Sequence, residues 1–462
     1  MDMNTGKRGI GPPGLAEMRS AYVVTDSKEE QRHPMSKPLR TRSDQSGGQE
    51  ERLTVRPSSS RLWMIIILGA LSAFGPFSLD MYLPSLPILA ETMHTTTSLT
   101  QLSLTSCLIG LSVGQLFAGP LSDVRGRRIP LLAGMVVYGL SSLLCAFSTS
   151  IEMLIVLRFI QGIAGSAGIV ISRAIVRDMY SGSELTKFFS MLMLVNGAAP
   201  ILSPIVGGQL LQFTSWRGVF IVLAGIGIVM LLAVFFGLPE TLAASKRSKG
   251  GTANTLKTFG VLLRDRKFMG LALSSGFISA AMFAYISGSP FVLQNIYGVS
   301  PQVFSLIFAM NGIGIIIAGQ IAGRLAGKVS EKKLLVTGIA LATVGGMALL
   351  LLLAVKAPIA AVLPPLFIVV SCVGIVGTAG SSLALQDYGH AAGSASALLG
   401  LLSYIFGGVV SPLVGLGGST SALPMGLVIA GADVCSILCY LLLVRSSIHP
   451  AKTADAAPTV HH

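Results

Sequence analysis

Twelve apolar stretches separated by short polar loops constrain this chain more than any other feature of its sequence. Each is about 20 residues long, the length that a helix needs to cross the hydrocarbon core of a bilayer. A soluble domain is excluded because 52% of the residues are hydrophobic and only 11% are charged. The sequence therefore predicts an all-α membrane protein with twelve transmembrane helices, numbered here as spans 1 to 12, at approximately 62–84, 99–121, 130–148, 153–176, 187–211, 217–238, 267–292, 301–325, 333–354, 360–384, 391–414 and 422–444.

The longest polar stretch between two spans divides the chain into two sets of six. It covers residues 239–266 and contains Ser, Lys, Arg and Gly. We therefore predict two six-helix bundles joined by a linker, as in transporters built from repeated halves. The predicted parts are a disordered cytoplasmic tail at 1–61, a bundle at 62–238, a cytoplasmic linker at 239–266, a second bundle at 267–445 and a cytoplasmic tail at 446–462.

The distribution of positive charge argues against a nucleic-acid partner. The formal net charge is +13, but all except three of the 33 Lys and Arg residues fall on the predicted cytoplasmic side. The exceptions are Arg158, Arg217 and Lys356. This is the positive-inside pattern of a membrane protein. We expect membrane lipid around the chain, no nucleic acid, and both termini in the cytoplasm.

One acid interrupts the first span. Asp80 lies in an apolar run that begins at Leu62 and otherwise carries no acid. An ionised side chain at the centre of a membrane helix costs at least ~2.5–3.5 kcal/mol, so such an acid indicates a function by default. The alternative is a neutral Asp80 that is hydrogen-bonded within the helix packing. Counting inward from the outer ends of spans 1 and 4 places Arg158 at the same depth as Asp80, so that both could reach one cavity. The alternative is that Arg158 has a purely structural role.

Other kinds of site have no support in the sequence. It contains no cluster of metal-ligand residues and no G-x-x-x-x-G-K-[S/T] phosphate loop. It also contains no constellation of catalytic side chains, so we predict no metal, no cofactor and no enzymatic activity. If the chain is a transporter, the lack of a nucleotide site means that an ion gradient has to drive it. Moving one charge across the membrane yields ~2.3 kcal/mol per 100 mV.

The loop between spans 2 and 3 carries a charged motif. It reads Gly119-Pro120-Leu121-Ser122-Asp123-Val124-Arg125-Gly126-Arg127-Arg128. This resembles the loop motif G-x-x-x-D-R-x-G-R-R of the major facilitator superfamily, with a departure at Val124. A carboxylate beside arginines at a helix end can pair across a moving interface, so we interpret this stretch as a gating loop. A solvated positive loop is the alternative. The matching residues are Gly119, Asp123, Gly126, Arg127 and Arg128.

Two further motifs resemble those of the drug:proton antiporters in this superfamily. Arg158, Gln161 and Gly162 in span 4 are similar to the element R-x-x-Q-G. Span 5 resembles a motif that ends G-P-x-x-G-G, with Ser203 in place of its first glycine. The resemblance implies that span 5 packs on span 8 and limits leak, and its prolines are expected to bend or loosen the helix. The residues concerned are Pro200, Pro204, Gly207 and Gly208.

Over about residues 62–445 the chain resembles the Bcr/CflA branch of bacterial drug exporters. The segments that carry this resemblance include Asp80-Met81-Tyr82-Leu83-Pro84 and Trp216-Arg217, with residues 172–180 and 284–294. The resemblance implies the major facilitator fold, a bacterial cytoplasmic (inner) membrane location and a gating role for Arg177. It also makes span 12 peripheral, so we expect its buried Asp433 to be protonated or paired within the helices. Because one chain supplies both bundles, we expect a monomer.

The function implied by the resemblance is export of amphipathic drugs in exchange for protons. Asp80 is the expected proton carrier, with Arg158 as the group that tunes it, and the proton gradient is the energy source. One alternative is an exporter or importer of a specific metabolite, such as an amino acid or small peptide. Another is a membrane receptor or scaffold without transport. The residues expected to line the substrate cavity are Tyr82, Gln161, Phe283, Tyr285, Ser289 and Gln294.

Overall fold

The computed structural model of the protein describes residues 58–247, 259–386, 388, 392–418 and 420–445. These residues are almost entirely helical, and the described ranges contain no strand beyond one isolated bridge between Ala326 and Val329. The prediction of an all-α protein is confirmed. Most of the predicted tails, and residues 248–258 of the predicted linker, lie outside the described residues.

Fourteen α-helices are named here in chain order. They are α1 (Ser58–Ser72), α2 (Phe74–Asp80), α3 (Leu86–Thr92), α4 (Thr97–Arg125), α5 (Arg128–Ala146), α6 (Ile151–Met179), α7 (Gly182–Leu210), α8 (Trp216–Gly237), α9 (Arg266–Phe291), α10 (Pro301–Leu325), α11 (Glu331–Ala354), α12 (Ile359–Leu385), α13 (Ala392–Val414) and α14 (Leu423–Cys439). Short 3-10 segments lie at Leu83–Ser85, Ala244–Lys246 and Gly415–Gly417, and π-helical segments at Val292–Ile296 and Tyr440–Arg445.

The helices confirm the prediction of twelve membrane crossings. Among the described residues, 11 single helices are long and apolar enough to cross a membrane. A bent pair, Trp63–Ser72 with Phe74–Thr92, supplies the twelfth. We call α1–α8 the first half and α9–α14 the second half. The residue limits predicted for the two bundles stay a prediction.

Span 1 is broken rather than straight, and it ends later than predicted. Its two parts meet at 43° and the second reaches Thr92, beyond the predicted end at residue 84. Proline explains the breaks, because its ring removes a backbone donor and clashes with the preceding turn. Pro76 follows the first break at Ala73. Pro84 is the middle residue of the second break at Leu83–Ser85, and Pro87 follows that break. Asp80 is thus the last residue of α2, next to an irregular turn.

Side-chain caps fix where several long helices begin. A capping oxygen accepts a hydrogen bond from a backbone N–H that has no partner inside the helix. Thr96, Ser150 and Ser300 do this at the starts of α4, α6 and α10, and Asp265 caps α9 with a bond of 2.7 Å to the N–H of Phe268. These caps set the register in which each helix presents its polar side chains.

The two halves share a hydrophobic core at only one end of the described structure. We call the end that carries the loop 125–128 the basic end, and the end where α3 meets α4 the opposite end. One apolar cluster at the opposite end joins residues of both halves, including Leu86, Phe291 and Phe304. Towards the basic end there are two separate clusters, one in each half, represented by Ile175 and Leu335.

Candidate functional site

Asp80 lies where the two halves approach each other. It is 7% exposed, and no hydrogen bond or ion pair to its carboxyl group occurs among the described residues. The hydroxyl groups of Tyr285 in α9 and Tyr404 in α13 lie near enough to this carboxyl group to be affected by its charge when it is ionised. Both tyrosines belong to the second half. The acid that the sequence singled out is therefore buried, unpaired and directed towards the other half.

Arg158 lies in a separate, closed cluster of the first half. It is fully buried, and its Nη1 donates a 2.6 Å hydrogen bond to Oε1 of Gln161, whose Nε2 donates in turn to Ser142. The guanidinium also lies over two aromatic rings, 4.9 Å from the centroid of Tyr82 and 5.6 Å from that of Phe220. Such cation–π contacts are strongest where water is excluded. Its Nε and Nη2 have no hydrogen-bond partner in the described ranges.

The structure does not bring Asp80 and Arg158 together as an ion pair, which departs from the expectation of one shared cavity. The reason is the direction of the side chains. Met81 and Tyr82 continue with helical dihedral angles, so Asp80 and Tyr82 lie about 200° apart around the axis. Tyr82 faces Arg158, and Asp80 points the other way. The assignment of both residues to proton coupling stays a prediction.

The six residues predicted to line one substrate cavity fall into three groups. Tyr82 and Gln161 belong to the Arg158 cluster, where the Tyr82 hydroxyl is 3.0 Å from that of Ser103. Phe283, Tyr285 and Ser289 are buried in the second half, where Tyr285 stacks on Phe308 and accepts a hydrogen bond from Asn311. Gln294 lies at the opposite end. The assignment of these six residues to one substrate cavity stays a prediction.

Three glutamine side chains join the two halves at the opposite end. Each donates from Nε2 to a backbone carbonyl of the other half, and the sequence analysis assigned this role to none of them. The sequence did hold one indication of this role, because each glutamine lies near the end of an apolar span. A buried amide in such a position needs a hydrogen-bond partner. The bonds are Gln101 to Ser287 O at 3.0 Å, Gln294 to Pro84 O at 3.2 Å and Gln302 to Gly208 O at 2.9 Å.

The predicted gating loop is built around Arg127. This guanidinium bonds the carboxylate of Asp123 and the hydroxyl of Ser122 in α4, and its Nε is 2.7 Å from Oδ2 of Asp178 in α6. The arginine is 6% exposed, so these partners offset the cost of burying its charge. All of them belong to the first half. In this conformation the pairing therefore stays within the first half, and the gating role of the loop stays a prediction.

The remaining residues of the predicted gating loop have different surroundings. Gly126 has φ +91°, a backbone conformation that favours glycine, and Gly119 is in ordinary packing contact with Val170. Arg128 donates to the carbonyl of Phe235 at 2.6 Å. Arg177 is exposed and has no hydrogen bond or ion pair among the described residues. Its neighbour Asp178 is the residue of this turn of α6 that contacts Arg127. The gating role of Arg177 stays a prediction.

Glu240 completes this cluster, and the sequence analysis missed it. Its carboxylate accepts hydrogen bonds from the backbone N–H groups of Arg127 at 2.9 Å, Arg128 at 3.1 Å and Leu242 at 2.9 Å. Burial alone would raise the pKa of this carboxyl, but the three N–H donors and the Arg247 guanidinium together lower it below its ordinary value. An anion at the start of α5 also suits the helix dipole. Glu240 therefore fixes the end of α8 to the start of α5.

Replacing Glu240 by glutamine should lower the thermal stability of the protein only where the wild-type side chain is ionised. Because the folded state lowers the pKa of Glu240, its contribution is present above the ordinary value of 4.5 and is lost as the pH falls through the folded value. We expect Glu240→Gln to lower the melting temperature slightly at neutral pH, since the group is only partly buried. Thermal unfolding of both proteins across pH 3 to 8 measures this, and a difference that persists undiminished at the acid end contradicts it.

The helix predicted to limit leak runs without a break through both of its prolines. α7 contains Pro200 and Pro204 and still continues to Leu210, so the expected loosening does not interrupt it. Ser203 donates to the carbonyl of Ala199 at 2.6 Å and so stays bonded to its own helix. As the resemblance implied, α7 packs on span 8, because a Cβ on Gly208 would lie 3.0 Å from the carbonyl oxygen of Pro301 in α10.

Gly207 provides the closest approach of α7 to the chain around Asp80. A Cβ at this position would lie 2.0 Å from the carbonyl oxygen of Met81. We expect Gly207→Ala to push α7 away from this turn and to destabilise the protein by about 1–3 kcal/mol, as overpacking of a close contact does. The measurement is the melting temperature of the purified protein. Gly197→Ala is the matched control, because its Cβ would meet Ile316 at an ordinary 3.5 Å. Equal melting temperatures of the two variants would contradict this prediction.

Asp433 is a second buried acid, remote from Asp80. It is fully buried in α14, and neither carboxyl oxygen has a hydrogen-bond partner in the described ranges. Gly346 of α11 makes room for it, because a Cβ there would lie 2.5 Å from Oδ2 of the acid. Side-chain pairing within the helices is therefore not seen. An unpartnered carboxyl in an apolar site is stabilised in its neutral form, so the protonated alternative stays as the prediction.

Comparison with known proteins gives a consistent set of similarities. The sequence matches the Major Facilitator Superfamily over residues 61–412. It is 46% identical over 390 residues to the MFS-type transporter YdgK of Bacillus subtilis (strain 168), covering 84% of this chain and 97% of that protein. It is 30% identical to the bicyclomycin resistance protein homolog of Haemophilus influenzae, covering 83% of this chain and 96% of that protein. It is 28% identical to the chloramphenicol resistance protein of Pseudomonas aeruginosa, covering 84% of this chain and 91% of that protein.

A solved structure shares the fold. A bacterial homologue of the human lysosomal transporter Spinster superimposes with a TM-score of 0.70 at 15% sequence identity, covering 85% of this chain and 98% of that one. At this identity the likeness concerns the arrangement of the helices alone.

Proposed function

Because the chain belongs to the Major Facilitator Superfamily, we propose that it exports amphipathic drugs across the cytoplasmic membrane in exchange for protons. The protein is a multi-pass membrane transporter. Two of its relatives are named for resistance to bicyclomycin and to chloramphenicol, which supports drugs as its substrates. These names do not favour the alternative of a transporter for one metabolite.

The observation that carries the proposal is the buried, unpaired Asp80 facing the second half. A carboxyl group in this position is stable when it is protonated and unfavourable when it is ionised without a partner. A cationic or hydrogen-bonding drug near Asp80 would supply that partner and make the proton unnecessary. Protonation of Asp80 and binding of such a drug then exclude each other, which is the requirement for exchange.

The contacts between the halves support alternating access. The three glutamine bonds and the shared apolar cluster close the opposite end, whereas the cores at the basic end are separate. By the positive-inside rule the basic end faces the cytoplasm. The described conformation would then take drug from the cytoplasm. Rocking of the halves would break the glutamine bonds and release drug on the other side.

The remaining assignments follow from this function. We place the protein in the inner membrane of a bacterium with both termini in the cytoplasm, acting as a monomer. Its partners are protons, small amphipathic molecules and lipid, without nucleic acid or a cofactor. The Arg127 cluster would hold the cytoplasmic ends of α4, α5, α6 and α8 together as one unit while the halves move.

A susceptibility panel in an efflux-deficient host tests the proposed function. We expect expression of the chain to raise the inhibitory concentrations of several chemically unrelated amphipathic drugs, and an uncoupler to restore intracellular drug accumulation. The empty vector and the host carrying an unrelated membrane protein are the controls. A response to a single metabolite analogue would favour the metabolite transporter, and binding without any flux would favour a receptor.

A further inference from the structure

The chain around Asp80 meets the second half at α9 and α10. α2 itself packs on α6 and α7, but the 3-10 turn Leu83–Ser85 that follows it contacts both α9 and α10. The carbonyl of Pro84 in this turn accepts a 3.2 Å hydrogen bond from Gln294. Asp80 and Tyr285 both lie on the basic-end side of this contact, each one earlier in its own segment. The acid and the tyrosine therefore approach each other from opposite sides of the boundary between the halves.

The hydroxyl group of Tyr285 is held in place by Asn311, to which the sequence analysis gave no role. Nδ2 of Asn311 in α10 donates a 2.8 Å hydrogen bond to the tyrosine oxygen. The ring of Tyr285 also stacks on Phe308, with the centroids 5.5 Å apart. Tyr285 is 2% exposed and Asn311 3%, so both contacts are shielded from water. Together they fix the position of the hydroxyl oxygen.

The hydrogen of this hydroxyl group has no acceptor. A tyrosine hydroxyl can accept one hydrogen bond and donate another. Asn311 uses the oxygen as an acceptor, and no acceptor for the Tyr285 hydrogen occurs among the described residues. Ser289, one turn further along α9, is fully buried, and its own hydroxyl has no hydrogen-bond partner in the described ranges. Because a hydrogen bond accepted by a hydroxyl strengthens it as a donor, Tyr285 presents a fixed and polarised donor near Asp80.

We propose that the Tyr285 hydroxyl, positioned by Asn311, donates a hydrogen bond to Asp80 whenever that acid is ionised and holds no drug. The inference rests on the proposed function and deepens it at the same site. Exchange requires intervals in which the proton has left and the drug has not yet bound. A carboxylate without any partner is costly in those intervals, and the tyrosine supplies one.

A neutral donor suits an acid that has to change partners. Its hydrogen bond to a carboxylate is stronger than one between neutral groups, yet it lacks the full charge of an arginine. A proton or a cationic drug can therefore displace it. In each cycle the proton leaves Asp80 for water and returns from water, while Tyr285 keeps its own hydrogen. Asn311 acts through the tyrosine and is a positioning residue.

The other groups around the proton carrier are less suited to this role. Tyr404 of α13 also lies near the acid, but it is half-buried, and its hydroxyl forms no hydrogen bond among the described residues. The charge of Arg173 in α6 acts on this second tyrosine. Arg158 of α6 and Cys107 of α4 act on Tyr82 instead. The remaining charged groups of α4, α6 and α7 lie near helix ends, at Asp123, Arg125, Glu152, Arg177, Asp178, Glu184 and Lys187.

The pH dependence of cation binding tests the pair. The full chain is purified into lipid nanodiscs, and calorimetry gives the Kd of tetraphenylphosphonium, a permanent cation that pairs with an ionised acid, from pH 5 to 9. Tyr285→Phe removes the donor and should move the midpoint of binding about one to two pH units higher. Asn311→Leu leaves the hydroxyl free to turn and should move the midpoint in the same direction by about half a unit. The Kd at alkaline pH should not weaken, because the carboxylate is unchanged.

The control is Asn196→Leu, which replaces an amide of the first half that bonds Leu192 in its own helix, and its midpoint should equal that of wild type. Tyr404→Phe should move the midpoint less than Tyr285→Phe does. If the pair only packed, its variants would lower the melting temperature or weaken binding at every pH without moving the midpoint. That result, or an equal or larger shift in Tyr404→Phe, would overturn the inference and leave the proposed function standing. Wild-type binding that is absent or independent of pH would refute the proposed function, and the inference with it.

Discussion

Replacing Asp80 by asparagine is expected to abolish the exchange of drug against an imposed pH gradient. Asparagine has nearly the same shape, so the packing of α2 against its neighbouring helices α6 and α7 should survive. It cannot take up or release a proton, and its amide cannot pair with a cationic drug. Transport by inverted membrane vesicles carrying Asp80→Asn should therefore fall to the level of vesicles without the protein. Proton movement, measured with a pH-sensitive dye on addition of drug, should disappear with it.

The second buried acid of the chain offers a matched control for this prediction. Asp433 is fully buried and, like Asp80, lacks a hydrogen-bond partner in the described ranges, but it lies in α14 against α11, away from the first half. If it is permanently neutral, Asp433→Asn removes no charge and should keep the native rate. Exchange at the native rate in Asp80→Asn would remove the assignment of Asp80 as the carrier. Loss of proton movement in Asp433→Asn would instead indicate that Asp433 in α14 carries the proton.

The linear pattern of the sequence was sufficient for the membrane crossings but not for the direction of side chains. Hydrophobic length identified every span, because a bilayer imposes one length on all of them. Depth counted along two spans put Asp80 and Arg158 at one level. It carried no information on rotation about the helix, and the structure turns Asp80 towards Tyr285 while Tyr82 faces Arg158. The same limit explains why Asp178, which contacts Arg127, was not singled out.

Long-range polar partners were the second kind of feature that the sequence did not reveal. Glu240 meets the start of α5 from more than a hundred positions away, and a single sequence holds no sign of that pairing. The glutamine bonds between the halves are equally distant along the chain. The hydrogen bond between Asn311 and Tyr285 was hidden for another reason. It joins neighbouring spans, but the sequence does not show which way an amide inside an apolar span is turned.

Replacing Arg158 by alanine is expected to abolish transport while the protein still inserts into the membrane. The fully buried guanidinium is a centre of contacts for span 1 and span 6, through the rings of Tyr82 and Phe220, and it satisfies the side-chain oxygen of Gln161. Alanine leaves that oxygen without its donor, at a cost of about 1–3 kcal/mol, and removes the support of Tyr82. Because Tyr82 follows Asp80 by two residues, the position of the acid depends on this contact.

Two variants separate a role in transport from one in folding. Arg158→Lys keeps the charge beneath Tyr82 but loses the planar group that stacks on both rings, so it should recover part of the transport. Gln161→Leu removes the hydrogen bond and keeps the guanidinium over both rings, and it should lower the melting temperature more than the rate. Vesicle transport, membrane insertion and thermal unfolding are measured together for each variant. Normal transport in Arg158→Ala would make the arginine a structural residue only. Loss of transport with recovery in lysine would show that Asp80 needs a positive charge behind Tyr82 in order to exchange its proton.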